Sequence, residues 1–234
     1  MNIVTRIFDS SLGKKYIMAL TGFGLFGFVV AHLIGNLQIF LGPEAINRYG
    51  AFLQGLGELL WVARISLLAM VVLHIWAAIK ISAENKAARP IAYQAYNPTT
   101  ASYASRTMLM SGLIILFFII YHLLHFTVQI PGINFTNEDF KTLHDAKDLH
   151  DVFAMMILGF RQPVVSIFYI VAIGLLSLHL SHGVGSMFQS LGWKKKSYSG
   201  LLDGFAKAIS IFIFVGYISI PIAVLLGFGK EALK

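Results

Sequence analysis

The chain has 234 residues, 57% of them apolar and only 12% charged, with a formal net charge of +7 and a mean hydropathy of +0.73. Soluble domains carry about a quarter charged residues, so this composition excludes an ordinary soluble domain and leaves no polar module for binding nucleic acid. Cysteine is absent, which excludes disulfides, thiolate-held iron–sulfur clusters and covalently attached haem.

Apolar runs long enough to cross a bilayer, about 20 residues each, occur at 16–41, 59–81, 107–130, 163–188 and 209–228. They predict an all-α, multi-pass membrane protein: a single transmembrane domain over 1–234, with five helices in a bundle. The first run is too long for a cleavable signal peptide and no small-residue cleavage pattern follows it, so it is expected to stay as a span.

Before span one stand Arg6, Lys14 and Lys15. Between spans one and two, Pro43 and Glu44 suit a helix start, with Tyr49, Phe52 and Leu56 as a buried stripe. Lys80, Lys86, Arg89 and Arg106 flank the connection from span two to span three. After span three, Thr136 and Asp139 resemble a capping signal. Phe140, Leu143, Leu149, Phe153 and Met156 follow at roughly helical spacing, which predicts an amphipathic helix on the membrane surface. His144, Lys147 and His150 in this stretch lack a metal-ligand spacing and read as exposed. Lys194, Lys195, Lys196 and Lys207 separate spans four and five, and Pro221 suggests a kink in the last span. The basic clusters fall on one side and most acidic residues on the other, so the N-terminus is expected to be cytoplasmic and the C-terminus outside.

The chemistry lies in histidines. His32, His74, His122 and His179 each occupy a different apolar run, and ionisable side chains inside a membrane are functional by default. Neutral imidazole is a common iron ligand. One histidine on each of four helices makes two axial pairs, enough for two non-covalent b haems.

Depth sorts the pairs. His32 follows Lys15 by about 17 residues and His122 follows Arg106 by about 16, which at 1.5 Å per residue puts both roughly 25 Å from the cytoplasmic boundary. His74 precedes Lys80 by about six residues, roughly 9 Å, and His179 precedes Gln189 by about ten, roughly 15 Å. His32 therefore pairs with His122 near the outer surface, and His74 with His179 near the inner. His125 and His182 stand one turn beyond His122 and His179 on nearly the same helix face. Either is an alternative or accessory ligand, and depth alone marginally favours His182. Gly22, Gly24, Gly27, Gly35 and Gly183 leave side-chain-free grooves that suit a flat macrocycle or close helix packing equally.

The strings AHLIGNLQIF around His32, VVLHIWAAIK around His74, IIYHLLHFTV around His122 and LSLHLSHGVGSMFQSLGW around His179 resemble the four haem-binding helices of the dihaem cytochrome b subunit of succinate dehydrogenases and fumarate reductases. The resemblance runs over nearly the whole chain. It implies His32, His122, His74 and His179 as the axial iron ligands, with His179 ahead of His182. It further implies a bacterial cytoplasmic membrane, and a flavoprotein and an iron–sulfur subunit on the cytoplasmic face that carry FAD, the clusters and the dicarboxylate site. This chain would bind two haem b and pass electrons to or from menaquinone. Ser177 departs from the pattern, standing two before His179 where some relatives carry an acidic residue.

Glu58, just before span two, is a candidate for proton transfer to quinone or else a solvated loop carboxylate. Arg64, Arg161, Lys15, Lys80 and Arg106 read as snorkelling interface anchors. Two other classes fit less well. A quinol-oxidising cytochrome b of the other dihaem kind stacks two ligands on one helix, and a haem-free proton-coupled transporter is expected to show internal repeats.

Overall fold

The computed structural model describes residues 7–88 and 102–233; Arg6 and Arg89 lie outside the described residues. Among the described residues five helices are long and apolar enough to cross a membrane. They are α1 (Ser11–Leu37, extended by a 3-10 turn Gln38–Leu41), α3 (Glu58–Ala87), α4 (Met108–His122, reaching membrane length with the turn that continues it to Thr127), α6 (Pro163–Ser190) and α7 (Ser199–Leu225). Shorter helices sit in the connections, among them α2 (Pro43–Gly55) and α5 (Val152–Phe160), with a single turn at Tyr103–Arg106 before α4. No strand occurs among the described residues. In hydrocarbon each backbone polar group must find its partner within the segment, so apolar runs of this length close as helices. Leu68, Val72 and Ile65 along α3 and Leu20 and Phe23 along α1 are exposed, which lipid tolerates and water would not.

The helix bounds differ from the apolar runs where polar residues continue a helix beyond the bilayer. α3 runs on to Ala87 through Ser82, Glu84 and Lys86, and α7 begins at Ser199, ten residues before the run that marked it. The third span changes form instead: α4 widens into a π turn over Leu123–Thr127, closed by Val128 N–H donating to the Leu123 carbonyl at 2.7 Å. Pro163 opens α6, where its missing N–H costs nothing; Pro221 lies inside α7 and cannot donate to the carbonyl four residues before it.

The residues form two compact units, and each long helix contributes to both. Of the described residues, one unit comprises 7–29, 63–88, 102–113 and 178–210; the other comprises 30–62, 114–177 and 211–233. The first has a small core of Ala19, Val184, Met187 and Ala206. It also holds two ion pairs, Lys14 with Glu84 and Lys194 with Asp203. Lys14, assigned from sequence to the flank of span one, is buried and also donates to the Asp9 carbonyl at 2.9 Å. The second unit has a larger, aromatic core, including Phe118, Phe153, Phe160, Tyr169, Ile39 and Ile157.

The connections of the second unit correct three sequence expectations. α2 does start at Pro43, but Phe52 is exposed and the buried positions are Ile46 and Asn47. Asn47 faces inward because it has partners there: its amide donates to Asp145 and Asp151 at 3.1 Å each, and its oxygen accepts from Phe153 N–H at 3.0 Å. The amphipathic surface helix expected from Thr136 does not form. Phe140–Thr142 is a single 3-10 turn, His144 and His150 make an isolated antiparallel bridge, and the helix starts only at Val152, capped by Asp151 accepting from Ala154 N–H. Seven of the nine residues of α5 are buried, so it is an internal helix, apolar on all faces. Hydrogen bonding by Asp139 and Asp145 to nearby amides holds the intervening chain in turns, which competes with helix locally.

Finally, His150 is half-buried, accepting at Nε2 from the Gln129 amide at 3.0 Å, while His144 is exposed and Lys147 pairs with Glu44 at 2.7 Å. Burial lowers the His150 pKa from its ordinary value. At Glu44 the hydrogen bond from Lys147 holds the carboxyl below the usual range.

Candidate haem and quinone site

Each unit brings together two histidines from different helices. In the first, His74 of α3 and His179 of α6 have ring centroids 6.5 Å apart with planes at 59°. In the second, His32 of α1 and His122 of α4 have centroids 5.8 Å apart at 79°. These are the pairs expected from depth. The alternatives are elsewhere: His182 lies within electrostatic range of the Lys194–Asp203 pair, and His125 packs at 3.9 Å centroid distance against Phe126.

The hydrogen bonds of His74 decide its tautomer, and those of His179 fit the same one. His74 Nδ1 lies 3.1 Å from the Met18 carbonyl and 3.2 Å from Thr21 Oγ1. A carbonyl only accepts, so Nδ1 carries the proton. The Thr21 hydroxyl has already given its own proton to the Ile17 carbonyl at 2.7 Å. His179 Nδ1 lies 3.2 Å from Ser111 Oγ, and with the Ser111 proton given to the Met108 carbonyl at 3.1 Å that oxygen is placed to accept from the imidazole. In both rings the Nε2 lone pair is left for a metal, the arrangement in which an outer hydrogen bond orients a histidine ligand. Sequence reasoning missed Thr21 and Ser111. Serine and threonine one or two turns from a span terminus are too common to single out without knowing which ring they face.

Around His122 the partner is Tyr169 of α6, whose hydroxyl is 3.3 Å from His122 Nδ1 and 3.0 Å from His125 Nδ1. Phe118 stacks on the His122 ring at 5.8 Å and 29°, and Tyr217 of α7 lies 6.2 Å from His32. His125 is 1% exposed and its Nε2 has no hydrogen-bond partner.

Two of the glycines in span one make room for rings of neighbouring helices. A Cβ on Gly22 would come within 3.3 Å of His74 Cε1, so its absence gives the ring room. A Cβ on Gly35 would meet the Tyr49 ring at 2.6 Å, which is helix packing. Glu58 is exposed at the first turn of α3. Arg161, Lys15, Lys80 and Arg106 are exposed as well. Among the described residues no group of three or more His, Cys, Asp or Glu side chains is placed to hold a bare metal ion.

Residues 82–220 match the family of the succinate dehydrogenase/fumarate reductase transmembrane subunit. The chain belongs to that family. It is a multi-pass membrane subunit of the kind that associates with the other subunits of succinate dehydrogenase or fumarate reductase. No curated protein and no solved structure gives a significant match. In this transmembrane subunit the matched stretch contains His122 and His179, one member of each pair, while His32 and His74 precede it.

The donor set suits a b haem. Two imidazoles bound through nitrogen at about 2 Å on opposite sides of one iron place their ring centroids roughly 6 Å apart. Both pairs have that spacing, and the hydrogen bonds of His74, His122 and His179 all fall on Nδ1.

Proposed function

We propose that this subunit is the haem- and quinone-binding anchor of a succinate:quinone oxidoreductase in a bacterial cytoplasmic membrane. It holds two b haems, an outer one between His32 and His122 and an inner one between His74 and His179. The observation that carries the reading is that four imidazoles from four separate helices meet as two pairs at the spacing of an iron sandwich. One histidine from each of four helices also favours it over a cytochrome b with two ligands on each helix.

A bound haem supplies one-electron transfer at low reorganisation. The protein does the rest. Thr21, the Met18 carbonyl and Ser111 hold the His74 and His179 protons on Nδ1, so each ring presents its lone pair without rotating. The first unit is the natural neighbour of a cytoplasmic iron–sulfur subunit, since it contains the basic residues Lys80, Arg106 and Lys194 to Lys196 beside the spans. The flavoprotein subunit with FAD and the dicarboxylate site lies beyond that partner. Electrons leave to menaquinone at the outer end, where Glu58, exposed at the start of α3, exchanges the accompanying protons with water.

A reduced-minus-oxidised absorption spectrum of the purified complex tests the proposal. Two b-type components are expected, one lost in His122→Ala and the other in His179→Ala. A spectrum without haem bands, or His125→Ala removing a component that His122→Ala leaves, would overturn the assignment.

A further inference from the structure

The hydroxyl of Tyr169 is shared by two imidazoles, and it has only one proton. His122 Nδ1 and His125 Nδ1 lie 3.3 Å and 3.0 Å from the same oxygen. If Tyr169 donates to His122 Nδ1, the His122 proton must be on Nε2 and that ring has no lone pair for iron. If Tyr169 donates to His125 instead, its oxygen accepts from His122 Nδ1–H and His122 Nε2 is free. No carbonyl makes this choice at His122 as the Met18 carbonyl does at His74. The choice therefore falls to His125.

Resting on the assignment of His122 as an iron ligand, we propose that His125 and Tyr169 form a tautomer lock on His122. His125 Nδ1 takes the Tyr169 hydroxyl proton in a hydrogen bond, and the oxygen thereby receives the His122 Nδ1–H. In this arrangement the His125 proton resides on Nε2. That atom is buried and unpartnered, within a space so tight that a Cβ on Gly159 would lie 3.1 Å from it. Nε2 has no partner whichever nitrogen holds the proton, and an unpaired N–H there is the cost of using Nδ1 as the acceptor. The contact to His125 is the shorter of the two. Phe126, Phe140 and Tyr121 surround the His125 ring and hold it against the hydroxyl. His125 and Tyr169 are positioning residues; neither is a ligand.

The lock makes a prediction that bulk or packing alone does not. In the full complex in its membrane, His125→Leu removes the acceptor, so the Tyr169 proton turns to His122. Outer haem retention should then fall by about tenfold or more, the usual size of a lost outer hydrogen bond at a metal-ligating histidine. His125→Asn, whose amide oxygen stands near the place of Nδ1 and only accepts, should keep both haems and their low-spin electron paramagnetic resonance signals. Tyr169→Phe removes the competing proton and should also keep the haem, with altered g values. The double variant His125→Leu/Tyr169→Phe should regain the haem that His125→Leu loses.

Two haems with unchanged signals in His125→Leu would overturn the lock, and so would failure of the double variant to recover the outer haem. If His125→Leu lost both haems through misfolding, recovery in the double variant would still decide the matter in the same way. An absence of haem from the unmutated complex would instead overturn the proposed function.

Discussion

Around His74 and His179 the hydrogen-bond partners are a backbone carbonyl and two hydroxyls whose own protons are already given to helix carbonyls. Around His122 the partner is a phenol shared with a second histidine. An acceptor with no proton to spare fixes an imidazole tautomer unaided, whereas a shared hydroxyl can act either way and needs a third group to decide it. The two units differ in packing in the same sense. The first has a small core and polar ties, and the second an aromatic core in which Tyr169, Phe118, Phe126 and Phe160 meet edge to face.

The largest test of this contrast is ligand removal. His74→Ala should eliminate the inner haem and leave the outer, and His32→Ala the reverse, measured by haem stoichiometry and redox titration of the purified complex. Loss of both haems from either variant would show that the two sites do not form independently.

Next in size is the hydroxyl series. Ser111→Ala leaves the His179 Nδ1–H without its partner and should weaken inner haem retention about tenfold. Thr21→Val leaves the Met18 carbonyl in place beside His74 and should change retention only a few-fold. Equal effects would mean that the carbonyl does not hold the tautomer.

Smaller again is the polar tie in the otherwise aromatic unit. Asn47→Ala strands the Phe153 N–H and removes two amide hydrogen bonds from buried surroundings, a loss of about 1–3 kcal/mol per unsatisfied buried group. It should lower the thermal midpoint in detergent without altering the haem spectrum.

The smallest effect is a pH dependence. The His150 pKa is lowered by burial from its ordinary 6.5, so the unfolded chain takes up a proton more readily than the folded one. Its contribution to stability is therefore complete above that value and declines as the pH falls below it. Protonation also removes the acceptor that Gln129 uses. Replacing His150 with Gln should flatten the change in thermal midpoint between pH 7 and pH 5. An unchanged slope would assign the pH response to other groups.

How much was legible in advance depended on whether the signal was carried by single residues or by neighbours distant in sequence. The spans were visible because a bilayer demands long apolar runs. The pairing of His32 with His122 and of His74 with His179 was visible because helical rise converts residue counts into depth. The surface helix after Thr136 was misplaced because Phe140, Leu143 and Leu149 have helical spacing for another reason. Asp139 and Asp145 bind local amides and keep that stretch in turns, so the helix waits for the Asp151 cap. The stripe on α2 was misplaced because a buried asparagine looks polar until its partners Asp145, Asp151 and Phe153, about a hundred residues away, are in view.

By itself, then, the sequence determined a five-span membrane protein with histidines at two depths, since hydropathy and helical rise act along the chain. Which of His122 and His125 faces His32, which of His179 and His182 faces His74, and which atom of the His74 ring holds the proton were decided only by tertiary structure. Those choices depend on Met18, Thr21, Ser111 and Tyr169, side chains and a carbonyl that reach the rings from other helices, and hydrogen bonds between helices leave no periodic trace in a sequence.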